Sequence, residues 1–437
     1  MEIRFIAHSS FSIHTQGKKI ISDPWLSGKV FNDSWAHIAT PADVDWSAID
    51  YIWVSHEHPD HFHFPTLKSI PGRDKQHITV LHQRHASERM LEAIGKIGFG
   101  KIVELPLYQW VDLEPGIELY CGSVGSMDSF LAVRSEGKCV LNLNDCVLNR
   151  GQLRYIKSAL GDVDALFTQF SFANWVGNDA DEIGGAARKI RQMKEQLLIL
   201  EPAHLIPFAS FVYFCNEENQ RMNAWINTPQ AIQDLGIPQV HFMYPGDTWN
   251  MREDKTASMN ALVRYADDYN KPKEIDPTPA AVDAEKLLSA ASACMDSFVK
   301  RYPLQLRGMP PLTIDISDPG HRTRRLVFSP AATTVVLDDS ASTDTPARMQ
   351  MCSQAAWYMF NFSWGSGTLE VSGMFRDRRL ATEGAHPFFY LRNKMSTQFL
   401  EFDSLSQSMR TLGFLWRKKW EISYRFMSRD RYLASDY

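Results

Sequence analysis

VSHEHPDHFHF, residues 54–64, decides how this chain is read. It follows an apolar run, YIWV (51–54), with the β-branched and aromatic content of a strand. The chain has 14 histidines, and His56, His58, His61 and His63 crowd into one short loop around Asp60. In an extended segment alternate side chains point the same way, so His56 and His58 can reach one ion while Asp60 and His61 address another. Imidazole and carboxylate together are ordinary ligands of divalent zinc, iron or manganese. The order H-x-H-x-D-H directly after an apolar strand is far more specific than a pair of histidines, and outweighs a merely solvated His-rich loop. His63 stands outside that order and reads as a supporting or surface residue.

The rest of the chain fits a soluble globular protein, with 44% apolar and 22% charged residues. At 437 residues it exceeds one ordinary core, so two domains are expected. A net charge of −5 and a pI near 6.3 give no electrostatic support to a nucleic-acid or anionic-membrane partner. MEIRFIAHSSFSI alternates like a strand and lacks the regions of a signal peptide. The most apolar later window, LLILEPAHLIPFASFVYF, is broken by Glu201, Pro202, His204 and Pro207 and is no membrane span. Six scattered cysteines without a CxxC point away from zinc knuckles and disulfides, and a reducing cytoplasm is the expected location.

Residues 1–250 read as many short strands with helices between some of them, among them RHASERMLEAIGKIG and GGAARKIRQMKEQLLILEP. The second helix is capped by the acidic run DADE and ends at Pro202. Residues 251–280 turn polar and Pro-rich, which predicts a linker. Residues 281–437 then read as a smaller C-terminal α/β domain. Its expected elements are a helix over AAVDAEKLLSAASACMDSFVKRY, strands LTIDIS, RRLVFS and TTVVLD, a helix over ARMQMCSQAAWYMFNF, a strand TLEVSGMFR and a largely helical end.

His56, His58, Asp60 and His61 resemble the signature of the metallo-β-lactamase superfamily, and GKKIISDPWLSG, with Asp23, resembles its second strand and turn. The resemblance covers roughly residues 1–250 and implies a four-layer αβ/βα sandwich with a dinuclear metal site at one edge of two sheets. It also implies further ligands. Asp145, after the apolar strand CVLNLN, stands where the family has a bridging aspartate, and His204, in EPAHLIPF, where a final histidine is expected. His8, in IAHSSFSI, stands where related enzymes have a histidine near the site, in a supporting role. Zinc hydrolases of the superfamily normally carry another histidine before the bridging aspartate, yet no histidine lies between His85 and His204. The acidic residue in the corresponding loop is Asp128, in GSMDS. As a ligand it would make the site richer in oxygen and shift preference from zinc to iron or manganese.

That substitution is similar to the di-iron oxygenase branch, which includes the chloramphenicol-pathway β-hydroxylase acting on a carrier-tethered amino acid. HPDHFHFPTLKSI, LNLNDC and LIPFASFVYF resemble CMP-N-acetylneuraminate monooxygenases. Those enzymes carry a Rieske domain, whereas this sequence has no C-x-H…C-x-x-H pair, so electrons are expected from a separate reductase or ferredoxin. The expectation is two irons and O2 chemistry on a small polar or carrier-tethered substrate, with Asp60 and Asp145 as the catalytic carboxylates. FTQFSFANW (167–175) and FASFVYF (208–214) are candidate shields for the oxidant, with ordinary core packing as the other reading. The competing reaction is hydrolysis of an ester, lactone or phosphodiester by a hydroxide bridging two zinc or manganese ions. The C-terminal half faintly resembles sterol-carrier-like domains, which implies an apolar substrate pocket; a homodimer interface is the alternative.

Overall fold

The computed structural model describes residues 1–85, 88–125, 127–339, 346–397, 405–417 and 419. The alternating N-terminal residues form β1 (Glu2–Ala7), β2 (Ser10–Thr15) and β3 (Lys18–Ser22), followed by the short β4 (Trp35–His37). The apolar run before the His-rich loop is β5 (Tyr51–Val54), and β6 (Thr79–Gln83) and β7 (Lys101–Leu105) succeed it. A second group comprises β8 (Trp110–Glu114), β9 (Ile117–Val124), β10 (Asp128–Ser135), β11 (Lys138–Asn144), β12 (Ala165–Gln169) and β13 (His204–Phe208). Two short strands, β14 (Val212–Phe214) and β15 (Thr248–Trp249), close this part.

The strands assemble into a seven-stranded sheet, β15-β1-β2-β3-β5-β6-β7, and a six-stranded sheet, β13-β12-β11-β10-β9-β8. A main core lies between them, with Phe11 of the first sheet stacked on Phe167 of the second at 4.1 Å between ring centroids. The outer face of the first sheet is covered by α1 (Phe64–Ser69), α2 (Gly72–His77) and α3 (Arg89–Gly95), where Leu67, Ile70, Met90 and Ile94 pack on Ile52 and Val80. The second sheet is covered by α4 (Arg150–Leu160) and α5 (Gly185–Leu200), whose Leu153, Ile156, Met193 and Leu200 are buried. The result is the four-layer αβ/βα sandwich expected of a metallo-β-lactamase fold. The acidic run before α5 acts as read: Asp181 accepts from the N–H groups of Gly185 and Ala186 at 2.6 and 3.1 Å.

The stretch 251–280, expected to be a linker, holds a helix. After the short α6 (Pro229–Gln233), α7 (Lys255–Asn270) buries Ser258, Ala261, Leu262, Tyr265 and Asp268, the spacing of one helical face. Tyr265 lies in the main core, stacked on Phe211 at 4.3 Å. Beyond it, α8 (Ala284–Arg301) and α9 (Pro303–Leu306) pack near a five-stranded sheet. Its strands are β16 (Leu312–Ile316), β17 (Arg324–Ser329), β18 (Thr334–Asp338), β19 (Met349–Met351) and β20 (Arg376–Asp377), in the order β18-β17-β16-β19-β20.

Two C-terminal readings change. ARMQMCSQAAWYMFNF divides into β19 and α10 (Ser353–Asn361), and the run GTLEVS falls in α11 (Gly365–Ser372), not in a strand. Gly365 lets α11 start against the backbone of Tyr358 and Met359, where a Cβ would meet a carbonyl oxygen at 2.2 Å, and Gly373 ends it at φ 64°. The helical end is represented by α12 (Leu380–Glu383), α13 (Pro387–Thr397) and α14 (Leu405–Arg417); the rest of that reading lies outside the described residues. The core of this half also takes in Trp25, Val30, Phe31 and Trp35 from the N-terminal half.

Candidate metal centre

The ends of β1, β3, β5 and β11 meet at one edge of the two sheets. At the end of β5, the carbonyl of His58 accepts from the N–H groups of His61 and Phe62 at 3.0 and 2.7 Å. That single turn sets Asp60 and His61 opposite His56 and His58. At the end of β11, Asn144 takes φ 48°, and Asn142 Oδ1 accepts its N–H at 2.9 Å, turning the chain so that Asp145 leaves the sheet. His8 follows the bulge in β1, and its carbonyl accepts from Ala209 N–H at 2.8 Å, which ties it to the residue after β13.

The side chains gather in two adjacent groups, each with donor atoms within 4.8 Å of one another: His56, His58 and Asp145, and His8, Asp60 and His61. In the first, His56 Nε2 lies 2.9 Å from His58 Nδ1 and 3.7 Å from Asp145 Oδ2. In the second, Asp60 Oδ2 lies 3.2 Å from His8 Nε2 and 3.3 Å from His61 Nε2. Asp145 Oδ2 is also 3.8 Å from His61 Nε2, so this carboxylate faces both groups. Two imidazole nitrogens at 2.9 Å need a proton or a cation between them. His61 Nε2, Asp60 Oδ1, Asp145 Oδ1 and His8 Nδ1 are buried with no hydrogen-bond partner. Unpaired buried donors of this kind cost free energy unless something binds them, and a divalent metal fits the set.

Surrounding groups fix the rings. Asp23 Oδ2 lies 2.9 Å from His61 Nδ1, and the same carboxylate accepts from Ser55 N–H and Oγ–H at 2.8 and 2.7 Å. The carboxylate thereby sets the His61 tautomer and leaves Nε2 for a metal. Burial pulls His61 down, but Asp60, Asp145 and Asp23 together hold it well above its usual range. Burial raises Asp60 and the neighbouring His61 and His8 outweigh it, so this carboxyl sits well below its ordinary range. His56 is lowered well below the usual value, chiefly by burial.

The other residues singled out in the sequence fall elsewhere. His204 opens β13, where it pairs with Ala165, itself level with Val140 of β11. Asp145 lies five residues beyond Val140, roughly 16 Å farther along the strand direction. His204 instead meets Trp249 edge-on at 4.9 Å, and the structure does not bring it to the donor groups. His8, read as a supporting residue, is in the second group. Asp128 starts β10, near enough to Cys146 to raise its thiol together with burial, but it belongs to neither donor group among the described residues. His63 caps α1, its Nδ1 accepting from Thr66 N–H at 3.2 Å. The aromatic runs are core: Phe170 packs on Phe211 at 5.2 Å and Phe172 stacks on Phe214 at 6.0 Å. Lys189 of α5 escaped the sequence reading; burial lowers its ammonium, and Asp145 and Asp128 act in the opposite direction.

Residues 2–167, which carry most of this fold and of the donor arrangement, match a family model described as a β-lactamase superfamily domain. Among curated proteins, cytidine monophosphate-N-acetylneuraminic acid hydroxylase of Mus musculus is 26% identical over 274 residues, covering 54% of this chain and 47% of the relative. The chain thus spans about half the length of the curated relatives it matches. Similar solved structures include CmlA, a diiron β-hydroxylase from Streptomyces venezuelae, at 16% identity and TM-score 0.41, covering 57% of this chain and 54% of that one. An isothiocyanate hydrolase from Delia radicum gut bacteria is similar at 15% identity and TM-score 0.44, covering 57% and 98%. Hydroxylases and hydrolases therefore both stand among the proteins it resembles. Among the described residues, no helix is long and apolar enough to cross a membrane.

Proposed function

We propose that the chain is a dinuclear non-haem iron oxygenase that hydroxylates or oxidises a small polar or carrier-tethered substrate, with electrons from a separate reductase or ferredoxin. The observation that carries this reading is the pair of facing donor groups, His56/His58/Asp145 and His8/Asp60/His61, with Asp145 turned toward both. Each group offers two imidazoles and one carboxylate, a mixed nitrogen and oxygen set that suits iron. The likeness to the CMP-N-acetylneuraminic acid hydroxylases supports oxygen chemistry over hydrolysis.

In this reading His56 and His58 would hold one iron and His8, Asp60 and His61 the other, with Asp145 placed to serve both. Bound iron would supply the coordination position and the electrons needed to activate O2. The protein's own part is to keep the ligands aimed: Asp23 orients His61, Ser55 links the β3 and β5 turns, and Ser9 Oγ–H donates to the Asp60 carbonyl at 2.9 Å. Asp128 would add negative charge beside Cys146 and Lys189.

The test is elemental analysis of protein purified without added metal, with an absorption spectrum of the same sample. About two irons per chain and near-ultraviolet ferric bands are expected. Two zincs, colourless protein and ester or lactone turnover without a reductant would overturn the oxygenase in favour of a hydrolase.

A further inference from the structure

The large apolar side chains of α14 stand outward. Leu405, Met409, Leu412 and Trp416 are 83%, 66%, 56% and 69% exposed. Their spacing of four, three and four residues puts them within about 60° of arc on a helix of 3.6 residues per turn. Thr411, well round the helix from this row, is fully buried. One side of α14 therefore rests on the protein while the apolar row is turned away from it. A single exposed residue of this kind, such as Leu198 on α5, is ordinary, whereas four in one row form a patch.

Positive charge collects at the same place. Residues 405–437 hold seven Lys and Arg against three Asp and Glu, in a chain whose net charge is −5. Lys419 Nζ lies 4.4 Å from the centroid of the Trp416 ring, which lays a cation against the end of the row. The net charge of the whole chain, which gives an anionic surface no support, conceals this local excess.

We propose that α14 docks the chain on an anionic lipid surface, with its apolar row in the boundary between headgroups and acyl chains. Both features fit that occupant: the row supplies buried apolar area, Trp416 suits the headgroup level, and the cations meet the negative charge of the lipid. A second copy of the chain fits less well. The row spans less than two heptads, where a coiled-coil seam needs three or four, and pairing would bring two like-charged segments together. The helix would lie on the bilayer and not cross it, since no helix of the described residues is long and apolar enough to span. Docking needs no metal and is independent of the reaction at the donor groups.

The experiment is flotation of the full chain with vesicles of phosphatidylcholine containing about 30% phosphatidylserine, and with vesicles of phosphatidylcholine alone. The anionic vesicles should carry the chain, and the neutral ones should carry at least about tenfold less. Raising the salt from about 0.1 M to about 0.5 M should release most of the bound protein. Met409→Ser combined with Leu412→Ser should lower binding at least about tenfold, whereas Leu198→Ser should leave it unchanged. No binding, equal binding to both vesicles, or binding unaffected by the α14 substitutions overturns the proposal. A dimer in the absence of vesicles, seen by sedimentation velocity and broken by the same substitutions, assigns the row to a second copy and overturns it too. Should the double variant fail to fold, hydrogen exchange of the wild type decides. Protection of the α14 amides on anionic vesicles upholds the docking, and unchanged exchange there refutes it.

Discussion

Asp23 and His61 meet at 2.9 Å, carboxylate Oδ2 to imidazole Nδ1, although 38 residues separate them. Asp23 reaches that place with a backbone φ of 38°, a conformation that Asp and Asn adopt more readily than other residues with a Cβ. The side chain and the strained turn together aim His61 Nε2 at Asp60 and Asp145.

Asp23→Asn keeps the shape and the tolerance for positive φ but removes the charge that holds the His61 ring. Metal affinity of the second donor group should fall about 10–100-fold. Competition with a chelator, read by metal analysis, checks it, and unchanged affinity would remove Asp23 from the metal's supporting shell.

His8 and His204 make opposite predictions. His8→Ala should lose about one metal per chain, because it empties one of three donors in its group. His204→Ala should retain the wild-type metal content, because His204 lies at the start of β13, the end away from the donors. Mass spectrometry of the metals in both variants tests the assignment in one experiment.

Glu370, in α11 and outside the donor groups, sets a pH dependence of its own. Burial pushes its carboxyl up to about 7, against the hydrogen bond it accepts from Asn393 Nδ2 at 2.7 Å. A carboxyl raised in the folded state favours folding while protonated, so its contribution is complete below the unfolded value of 4.5 and is lost as pH rises through 7. Allowing for its partial exposure, Glu370→Gln should stabilise by about 2 kcal/mol at a pH of about 8 and change little at a pH of about 4.5. Urea midpoints at the two pH values measure the difference.

Gly122 on β9 lies under the ring of Phe130 on β10, and a Cβ there would come within 2.2 Å of the ring. Phe130 is fully buried and has nowhere to move. Gly122→Ala should therefore destabilise by about 1–3 kcal/mol, visible as a lowered Tm. A melt identical to wild type would mean that β9 and β10 can part at this point.

Which of these features the sequence announced depends on how local each one is. His56, His58, Asp60 and His61 stand in one turn, so their pattern is visible in a single short run of letters. Asp145 was legible because an apolar strand runs straight into it, and the α5 cap because Asp181 stands just ahead of its helix. That His8, and not His204, stands beside Asp60 and His61 was not legible. Whether a histidine at the start or the end of β13 faces the site depends on the parallel pairing of β11, β12 and β13, which links residues far apart in sequence. GTLEVS carries strand-forming Thr and Val, yet packing between Gly365 and Gly373 makes it a helix. The polar letters of 251–280 hid the Tyr265 face of α7 because its apolar positions are few and widely spaced. Lys189 matters through the charges of Asp145 and Asp128 that it faces, which a linear pattern does not record.

The core of the C-terminal half includes Trp25, Val30, Phe31 and Trp35, and Trp25 also lies tilted against His37 at 3.7 Å and approaches His8 at 5.6 Å. A chain cut near residue 250 would turn those aromatic rings to water at the very side chains that border a donor group. The aromatic turn that follows β3 therefore stays dry only with the C-terminal half in place.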